Sequence, residues 1–579
     1  MYKAVKRILK HCMQYKLNIV FAFFSAVFSV IASICIPVYI GEAIDCIAEV
    51  ENIDYNKIGC YLLIIGALIL VGVIFKWTMD INTQNLAIKV THDLKVQAFN
   101  RLNSVPISYI DKTKHGDIIS RLLNDANQVS DGLQQALTQF LPGILTILGT
   151  LGIMYYLNPI IATVVVVITP LSIFVATFIT SKSRSSFIEK AKIEGEISFF
   201  VNERFQNASL VKIFGNEEKS EKHLKNLTDN LYKIGLKAQF YSSIANPCTR
   251  FVNSIVYVAV CLIGAFSVMG NIAFVISIGQ LSAFLAYANQ YTKPFNEISD
   301  VIAQLQIAAV SADRLFALID EKIEEEKENN KILENCKGNI SFKNVSFSYT
   351  KEKEFIKNFN LEIKQGQKIA IVGPTGAGKT TLINLLMRFY DVNLGEILID
   401  GINIKNINRN SLRNLYGMVL QDTWLSYGSV NDNISYADTL ATKEEIKEVA
   451  KQCYAHSFIK HLPQGYDTIL KANGSNLSAG QKQLLSIARI MLSKPQILLL
   501  DESTSNIDTR TELLIGKVFD KVMKNRTSIV VAHRLSTIQS ADIILVVNDG
   551  DVIEQGSHKE LLQKQGFYYN LFNSQFAKV

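Results

Sequence analysis

The fold of this chain is decided by Gly373-Pro374-Thr375-Gly376-Ala377-Gly378-Lys379-Thr380, which fits the phosphate-binding pattern G-x-x-x-x-G-K-[ST] of a P-loop. A short apolar stretch, 368–372, precedes it, and a helical pattern, 381–388, follows it, so the motif has the strand-loop-helix context that it needs. Backbone N–H groups and the helix N-terminus are expected to surround an anion there. Lys379 is expected to neutralise the β- and γ-phosphates, Thr380 to hold Mg²⁺, and Thr381 to complete the nucleotide site.

A second nucleotide signal is Ile497-Leu-Leu-Leu-Asp501-Glu502. Four apolar residues predict a buried strand, and its end delivers two adjacent carboxylates. Asp501 is expected to bind Mg²⁺ through water, and Glu502 to polarise the attacking water as general base. The pattern is weak alone and specific at this distance after a P-loop.

The first half of the chain predicts a membrane domain. The sequence has 579 residues, of which 49% are hydrophobic and 19% charged, and the apolar excess lies before residue 300. Six apolar stretches there each have the roughly twenty residues that a bilayer-crossing helix needs. They are 17–40, 58–80, 136–157, 159–182, 247–269 and 273–295. Six buried helices of a soluble protein would not share this length, and the first stretch is too long for a signal peptide.

Loop charge predicts the orientation. The leading segment carries five basic residues and no acidic one, the long segment 81–135 carries six basic residues, and the long segment 183–246 begins with Arg184, Lys190 and Lys192, whereas the loop after the first span is acidic. Both termini and both long loops are therefore expected on the cytoplasmic side. The long loops have helical periodicity, so their tips near His115 and Asn216 are expected to reach a cytoplasmic domain.

Charge and cysteines exclude other classes. The net charge of +7 is spread out and does not indicate nucleic-acid binding. The eight cysteines are scattered without a C-x-x-C pair, which argues against a metal cluster and a disulfide scaffold. Whether Cys46 and Cys60 form a bridge outside the membrane stays open.

Composition divides the chain into a membrane domain, 1–319, a charged linker, 320–337, and a domain of alternating strands and helices, 338–579. A solvated helix is an equally good interpretation of 320–337. The last domain is expected to be α/β with a mostly parallel core sheet.

With these motifs the chain resembles one half of an ATP-binding cassette (ABC) exporter over essentially all its length. Further motifs carry the likeness: the signature Leu477-Ser478-Ala479-Gly480-Gln481, Gln421 of the Q-loop, Ser505-Asn-Ile-Asp508 of the D-loop, the switch residue His533, the adenine-stacking Tyr349, and Gly116-Asp-Ile-Ile-Ser-Arg121 of the first cytoplasmic loop.

The resemblance implies a six-span helical membrane domain joined to an α/β P-loop NTPase domain that uses ATP and Mg²⁺. It implies that Ser478, Gly480 and Gln481 bind the γ-phosphate of ATP held by a partner subunit. It also implies that His533 contacts a γ-phosphate and that Gln421 senses Mg²⁺.

The implied function is ATP-driven export of amphipathic compounds from a bacterial plasma membrane by alternating access. A siderophore-type importer and a lipid flippase have the same architecture and stay open. Soluble ABC ATPases that act on ribosomes or DNA lack membrane spans, and intact Lys379, Asp501, Glu502 and His533 argue against a regulatory half. Polar residues of the sixth span either line a cavity or join helices: Gln280, Asn289 and Gln290.

A full transporter requires two such chains. Ala479 stands where the family usually has glycine, and Thr468-Ile-Leu-Lys-Ala-Asn-Gly474 departs from the family pattern T-E-x-x-x-x-G. With intact Glu502 and His533, this combination resembles one subunit of the heterodimeric multidrug exporters. A homodimer in which alanine is a tolerated variant is the alternative.

Overall fold

The computed structural model describes residues 2–48, 53–269, 276–324, 326, 330–349, 355–374, 376–419, 423–501, 507–532 and 534–575. The chain divides into two compact units. One comprises Met1–Ser104 and Thr113–Glu321, and the other comprises Val105–Lys112 and Lys322–Val579. Each unit contains its own clusters of buried apolar residues.

The first unit is helical. Its helices are α1 (Tyr2–Cys12), α2 (Lys16–Ala48), α3 (Tyr55–Leu102), then, after α4 (Ile107–Lys112) of the other unit, α5 (His115–Ser120), α6 (Ala126–Gln135), α7 (Leu141–Leu157), α8 (Pro159–Gln206), α9 (Ala208–Ile213), α10 (Glu217–Val268) and α11 (Ile278–Ile319). Several exceed the thickness of a bilayer at 1.5 Å per residue, so they extend beyond the apolar region as expected for the long loops.

Within the described residues, five helical stretches are long and apolar enough to cross a membrane: Lys3–Ala48, Tyr55–Leu102, His115–Leu157, Glu217–Val268 and Val301–Ile319. The apolar part found in α8 is shorter, Pro159–Leu171. The expected sixth span, 273–295, begins outside the described residues, and Gln280, Asn289 and Gln290 make its described part more polar. The count of six spans stays a prediction.

Helices α2 and α11 meet where Asp45 binds the N-terminus of α11. The Asp45 carboxylate accepts hydrogen bonds from Ser277 Oγ at 2.5 Å and from Gly279 N at 2.7 Å. A Cβ atom on Gly279 would lie 2.0 Å from the backbone oxygen of Gly41. Because no side chain separates the two backbones, this contact requires glycine on steric grounds. The cysteines Cys46 and Cys60 are free thiols.

The second unit is an α/β domain. Its strands are β1 (Ile340–Phe347), β2 (Ile356–Ile363), β3 (Lys368–Val372), β4 (Leu394–Ile399), β5 (Ile402–Asn403), β6 (Tyr416–Val419), β7 (Gly428–Ser429), β8 (Ile469–Leu470), β9 (Ile497–Asp501), β10 (Thr527–Val531), β11 (Ile543–Asn548) and β12 (Asp551–Gly556). Its remaining helices are α12 (Lys379–Leu386), α13 (Arg409–Asn414), α14 (Val430–Ile434), α15 (Lys443–Gln452), α16 (His456–Ile459), α17 (Ala479–Ser493), α18 (Thr509–Met523), α19 (Leu535–Gln539), α20 (His558–Gln563) and α21 (Phe567–Gln575).

The core sheet has the strand order β12-β11-β3-β10-β9-β6. All its pairs are parallel except β11 with β12, which confirms the expected mostly parallel sheet. Its inner strands are continuous apolar runs because both faces are covered, one by α12 and the antiparallel sheet and the other by helices. A four-stranded antiparallel sheet of order β2-β1-β4-β5 packs beside it. Ligand sites of such sheets lie beyond the carboxyl ends of the parallel strands, where the P-loop follows β3.

The linker residues that the structure describes are bound to the second unit. Lys331 exchanges backbone hydrogen bonds with Asn406 and Asn408, at 2.8 and 2.9 Å, and Leu333 does so with the Ser411 hydroxyl. No helix occurs in the described part of 321–337. The solvated-helix interpretation is therefore wrong for these residues, since their backbone groups pair with the domain instead.

Candidate nucleotide site

The P-loop is held by its own backbone and by Lys379. The ammonium group of Lys379 donates hydrogen bonds to the carbonyl oxygens of Gly373, at 2.7 Å, and Pro374, at 2.9 Å. Gly378 precedes α12 with a φ of +105°, and a Cβ atom there would lie 2.8 Å from the ring of Phe355. Glycine is required at this position by both conformation and space. The loop therefore presents the N-terminus of α12, with the exposed hydroxyl of Thr380, to an anion.

Asp501 ends β9 on the same edge of the sheet. Strand β10 separates β3 from β9 and pairs with both, so the carboxyl ends of β3 and β9 lie two strands apart. Burial lowers the pKa of Lys379, and the negative charge of Asp501 acts in the opposite direction. A cation and a carboxylate thus converge on one site, as the two sequence motifs predicted.

Tyr349 lies over the start of α12. Its hydroxyl donates a hydrogen bond to Thr381 Oγ1 at 3.1 Å, and its ring packs edge-to-face against Phe355 and Tyr390, with centroids 6.0 and 5.0 Å away. The residue is 39% exposed, so part of its surface remains accessible beside the P-loop. Buried Ala377 completes the cradle by accepting a hydrogen bond from the Gly550 N–H at 2.8 Å.

The signature caps a helix. Ser478 Oγ accepts from the Gln481 N–H at 3.3 Å, and the Ser478 N–H donates to Gln481 Oε1 at 3.0 Å, which is a capping box at the start of α17. Ala479 is the first residue of this helix and is exposed. Gly480 is buried, and a Cβ atom on it would lie 2.4 Å from Thr511 Cγ2. Glycine is therefore required at position 480 and not at position 479.

The predicted site residues fall into two groups within the chain. One group lies at the P-loop and contains Lys379, Thr381 and Tyr349. In this group, burial lowers the pKa of Lys379, and the negative charge of Asp501 opposes that shift. Ser478, Gly480 and Gln481 begin α17, which packs on α14, α15 and α18 over a different apolar cluster. Four predicted residues lie outside the described residues: Thr375, Gln421, Glu502 and His533. In the sequence, Glu502 directly follows Asp501, and His533 comes two residues after the end of β10.

Two features of the site were missed from the sequence. Phe355 packs under the P-loop, and Tyr390, four residues after α12, donates a hydrogen bond to Asp111 Oδ2 of α4 at 2.5 Å. In the sequence, the aromatic pair Phe389-Tyr390 beside Asp391 is the feature that could have indicated this contact. Helix α4 of the first long loop thus contacts the nucleotide domain within the second unit, whereas contact by the tip near His115 stays a prediction. Contact by the tip near Asn216 stays a prediction.

Comparison with known proteins places these features in one class. A family model described as the ABC transporter transmembrane region matches residues 19–295, and one described as ABC transporter matches residues 356–505. A fatty acid ABC transporter ATP-binding/permease protein of Mycobacterium bovis is 37% identical over 525 residues, which cover 90% of this chain and 82% of the relative. An ATP-dependent lipid A-core flippase of Desulfotalea psychrophila is 32% identical over 99% of both chains.

A solved structure of a bacterial Atm1-family ABC exporter with ATP bound is similar to this chain with a TM-score of 0.80. The sequence identity is 27%, and the match covers 97% of this chain and 98% of the other. The likeness therefore extends over both units and is not confined to the nucleotide-binding motifs.

Proposed function

The chain belongs to the ABC transporter family as a half-transporter of the exporter type, and on that premise we propose that it exports amphipathic small molecules, including drugs. ATP hydrolysis coupled to transport is the activity of this membrane-spanning class. The observation that carries the proposal is the convergence of Lys379 and Asp501 at one sheet edge, in a chain whose other unit supplies long apolar helices.

The P-loop fits the phosphates of ATP, because α12 offers its N-terminus and Lys379 its charge. Mg²⁺ also fits: Thr380 and Asp501 are hard oxygen ligands, and Mg²⁺ commonly takes its remaining ligands from water and phosphate. Gln421 would add a further ligand, and the ion would neutralise charge on the transferred phosphoryl group. No larger cluster of His, Cys, Asp and Glu is found among the described residues, which suits Mg²⁺ better than a transition metal.

We assign the remaining roles in the same way. Glu502 polarises the attacking water, and His533 contacts the γ-phosphate. Tyr349 stacks on the adenine, and residues 373–381 bind the phosphates. Ser478, Gly480 and Gln481 bind the γ-phosphate of ATP held by the partner.

The membrane unit supports an amphipathic substrate. Its buried cluster is mostly aliphatic and contains the aromatic residues Phe284, Tyr287 and Tyr291. The amide oxygens of Gln290 in α11 and Asn253 in α10 are also buried, and neither has a hydrogen-bond partner in the described part of the chain. An apolar interior with unpaired amide oxygens can accept a molecule that has an apolar body and a donor group. Lipid flipping is the second candidate, favoured by the likeness to the lipid A-core flippase.

The protein is a multi-pass membrane protein that works as a dimer. We place it in the bacterial plasma membrane with both termini cytoplasmic, on the distribution of basic residues, and we divide it into 1–319, 320–337 and 338–579. We propose that its partner is a different half-transporter. The main support is Ile469, which is 48% exposed at the position where the family pattern has an acidic residue. Ala479 gives weaker support, because it begins a helix whose backbone does not require glycine there.

One assay tests the direction of transport. Inside-out vesicles containing the chain, with and without candidate partners, are given ATP and a panel of a labelled fatty acid, cationic dyes and a labelled phospholipid. Export predicts ATP-dependent accumulation in the vesicles, which the Glu502→Gln variant abolishes. Uptake by whole cells instead would show an importer, and movement of phospholipid between leaflets without release would show a flippase. A test of the partner uses the purified lone chain: vigorous drug-stimulated ATPase would contradict the heterodimer.

A further inference from the structure

A short turn directly after the P-loop helix is bonded to both chain segments that lead to the membrane unit. The turn consists of residues 388–391 and is called the junction turn here. Arg388 has a φ of +51° and donates hydrogen bonds to Ile404 O at 3.1 Å, Ile407 O at 3.2 Å and Asp391 Oδ1 at 3.1 Å. The Phe389 N–H also donates to Asn384 O of α12 at 2.9 Å. The turn is thereby fixed to the P-loop helix.

The first attachment runs through Tyr390. Its hydroxyl donates to Asp111 of α4, and burial together with this hydrogen bond raises the pKa of Tyr390. Its ring packs against Tyr349, whose hydroxyl reaches Thr381 of α12. A displacement of the adenine-facing Tyr349 therefore acts on α4 through one ring and one hydrogen bond.

The second attachment runs through Asp391 to the linker. Asp391 Oδ2 pairs with Arg409 Nη2 at 3.2 Å, and Arg409 Nη1 lies 3.7 Å from Glu324 of the linker. Arg413 donates to both carboxylate oxygens of Glu324, at 3.0 and 3.1 Å. Glu326 adds bonds from Asn408 Nδ2 and the Arg409 N–H, at 2.6 and 2.7 Å. The linker is thus held by paired charges and not only by the backbone pairing of Lys331.

These ion pairs are partly buried, so the loss of one partner costs more than it would on the open surface. The side chains of Arg388 and Arg409 are 7% and 9% exposed, and that of Glu324 is 17% exposed. Asp391 lies between the two arginines and binds both. The two arginines are buried and Asp391 is 47% exposed, so removing its carboxylate leaves two buried cations with less compensation, at a cost that solvent reduces. Asp391 and Glu324 are therefore the acids that connect the turn to the linker through Arg409, beside the contacts of Glu326 and Lys331.

We propose that the junction turn is the point at which nucleotide binding is transmitted to both connections at once, to α4 through Tyr390 and to the linker through Asp391, Arg409 and Glu324. Tyr390 and Asp391 are positioning residues in this arrangement. The inference rests on the proposed coupled transport and adds the linker as a second mechanical connection. A nucleotide that moves α12 moves the turn with it, and both segments follow.

The test compares Tyr390→Phe, Asp391→Asn and Glu324→Gln in the full-length transporter in nanodiscs, with the exposed positions Tyr454→Phe and Asp520→Asn as matched controls. Hydrogen exchange of peptides covering 105–112 and 320–326 is measured with and without a non-hydrolysable ATP analogue, beside analogue affinity and molecules transported per ATP. In the unaltered protein and both controls, the analogue slows exchange in both peptides.

Tyr390→Phe is expected to remove the response of 105–112 alone, Glu324→Gln that of 320–326 alone, and Asp391→Asn both, because Asp391 also anchors the turn to Arg388. Transport per ATP falls about fivefold or more in each, with analogue affinity unchanged. Glu324→Asp restores the linker response.

Persistence of both exchange responses in Tyr390→Phe and Asp391→Asn overturns the proposal, and so does a loss of analogue affinity parallel to the loss of activity. If the unaltered protein transports no compound of the panel while its exchange responses are lost as expected, the proposed function fails and the junction turn stands.

Discussion

Replacing Gly480 by alanine tests the geometry of the signature. The new Cβ atom would lie 2.4 Å from Thr511 Cγ2 and 3.2 Å from Ile507 Cγ2. Ordinary carbon contacts lie at about 3.5–4.0 Å, so the start of α17 has to move by about 1 Å. Alanine gains about 1 kcal/mol of helix propensity over glycine. Overpacking costs about 1–3 kcal/mol, so the net effect is a loss of about 1 kcal/mol.

The functional effect is expected to exceed the loss of stability. A misplacement of about 1 Å in a catalytic arrangement can cost roughly a hundredfold in rate, and the signature faces the partner's ATP in the proposed dimer. We therefore expect Gly480→Ala to lower the ATPase rate of the purified dimer by about tenfold to a hundredfold. Its thermal inactivation temperature should fall by only a few degrees, about 2–4 °C per kcal/mol for a domain of this size.

Two further variants identify the cause. Thr511→Ser removes the methyl group that the new Cβ would strike, so the double variant with Gly480→Ala should recover most of the ATPase rate. Ala479→Gly is the matched control, because Ala479 is exposed and begins the helix, and its rate should stay within about twofold. Wild-type hydrolysis by Gly480→Ala, or no recovery in the double variant, would refute the steric reasoning.

Three other predictions follow from described features. Glu502→Gln should retain binding of a fluorescent ATP analogue while hydrolysis falls by at least about a hundredfold, whereas Lys379→Ala should weaken the binding itself; equal effects on both measurements would contradict the assigned roles. In a background without native cysteines, Tyr55→Cys should react with an impermeant maleimide added to intact cells and Lys114→Cys only after permeabilisation, and the reverse pattern would overturn the orientation. Gly279→Ala should separate α2 from α11 and lower thermal stability, measured by inactivation in detergent, by an overpacking cost of about 1–3 kcal/mol; unchanged stability would contradict the close backbone approach.

The nucleotide site was largely predictable because its motifs are local. The P-loop, the strand ending at Asp501 and the helix after Ser478 each depend on a few consecutive residues, and the structure forms all three where the sequence indicated. The strand order that brings Asp501 to the charge of Lys379 depends on pairing between distant segments. This proximity could be expected from the sequence only because ligand sites in parallel sheets lie beyond the carboxyl ends of the strands.

Contacts between distant segments were not predictable in the same way. The linker looked like a solvated charged run because Glu324 and Glu326 have their partners, Arg409 and Arg413, more than eighty residues away. The contact of Tyr390 with Asp111 spans 279 residues. Neither pairing leaves a periodic pattern in the sequence, since each depends on where a turn and a loop tip come to lie. Ala479 occupies an ordinary helix start, where glycine is not required, and only the structure shows this.

The hydrogen bonds that Lys379 makes to Gly373 and Pro374, and those between Ser478 and Gln481, have a consequence for selectivity among anions. In each phosphate-binding element some donors are already bonded to groups of this chain, so an incoming anion that uses these donors has to displace internal acceptors. Each exchanged bond contributes only about 1 kcal/mol net. A single inorganic phosphate replaces few of them and gains little. A triphosphate that spans the P-loop and reaches the signature of a second subunit replaces many at once, so the abundant small anions of the cell compete weakly with ATP.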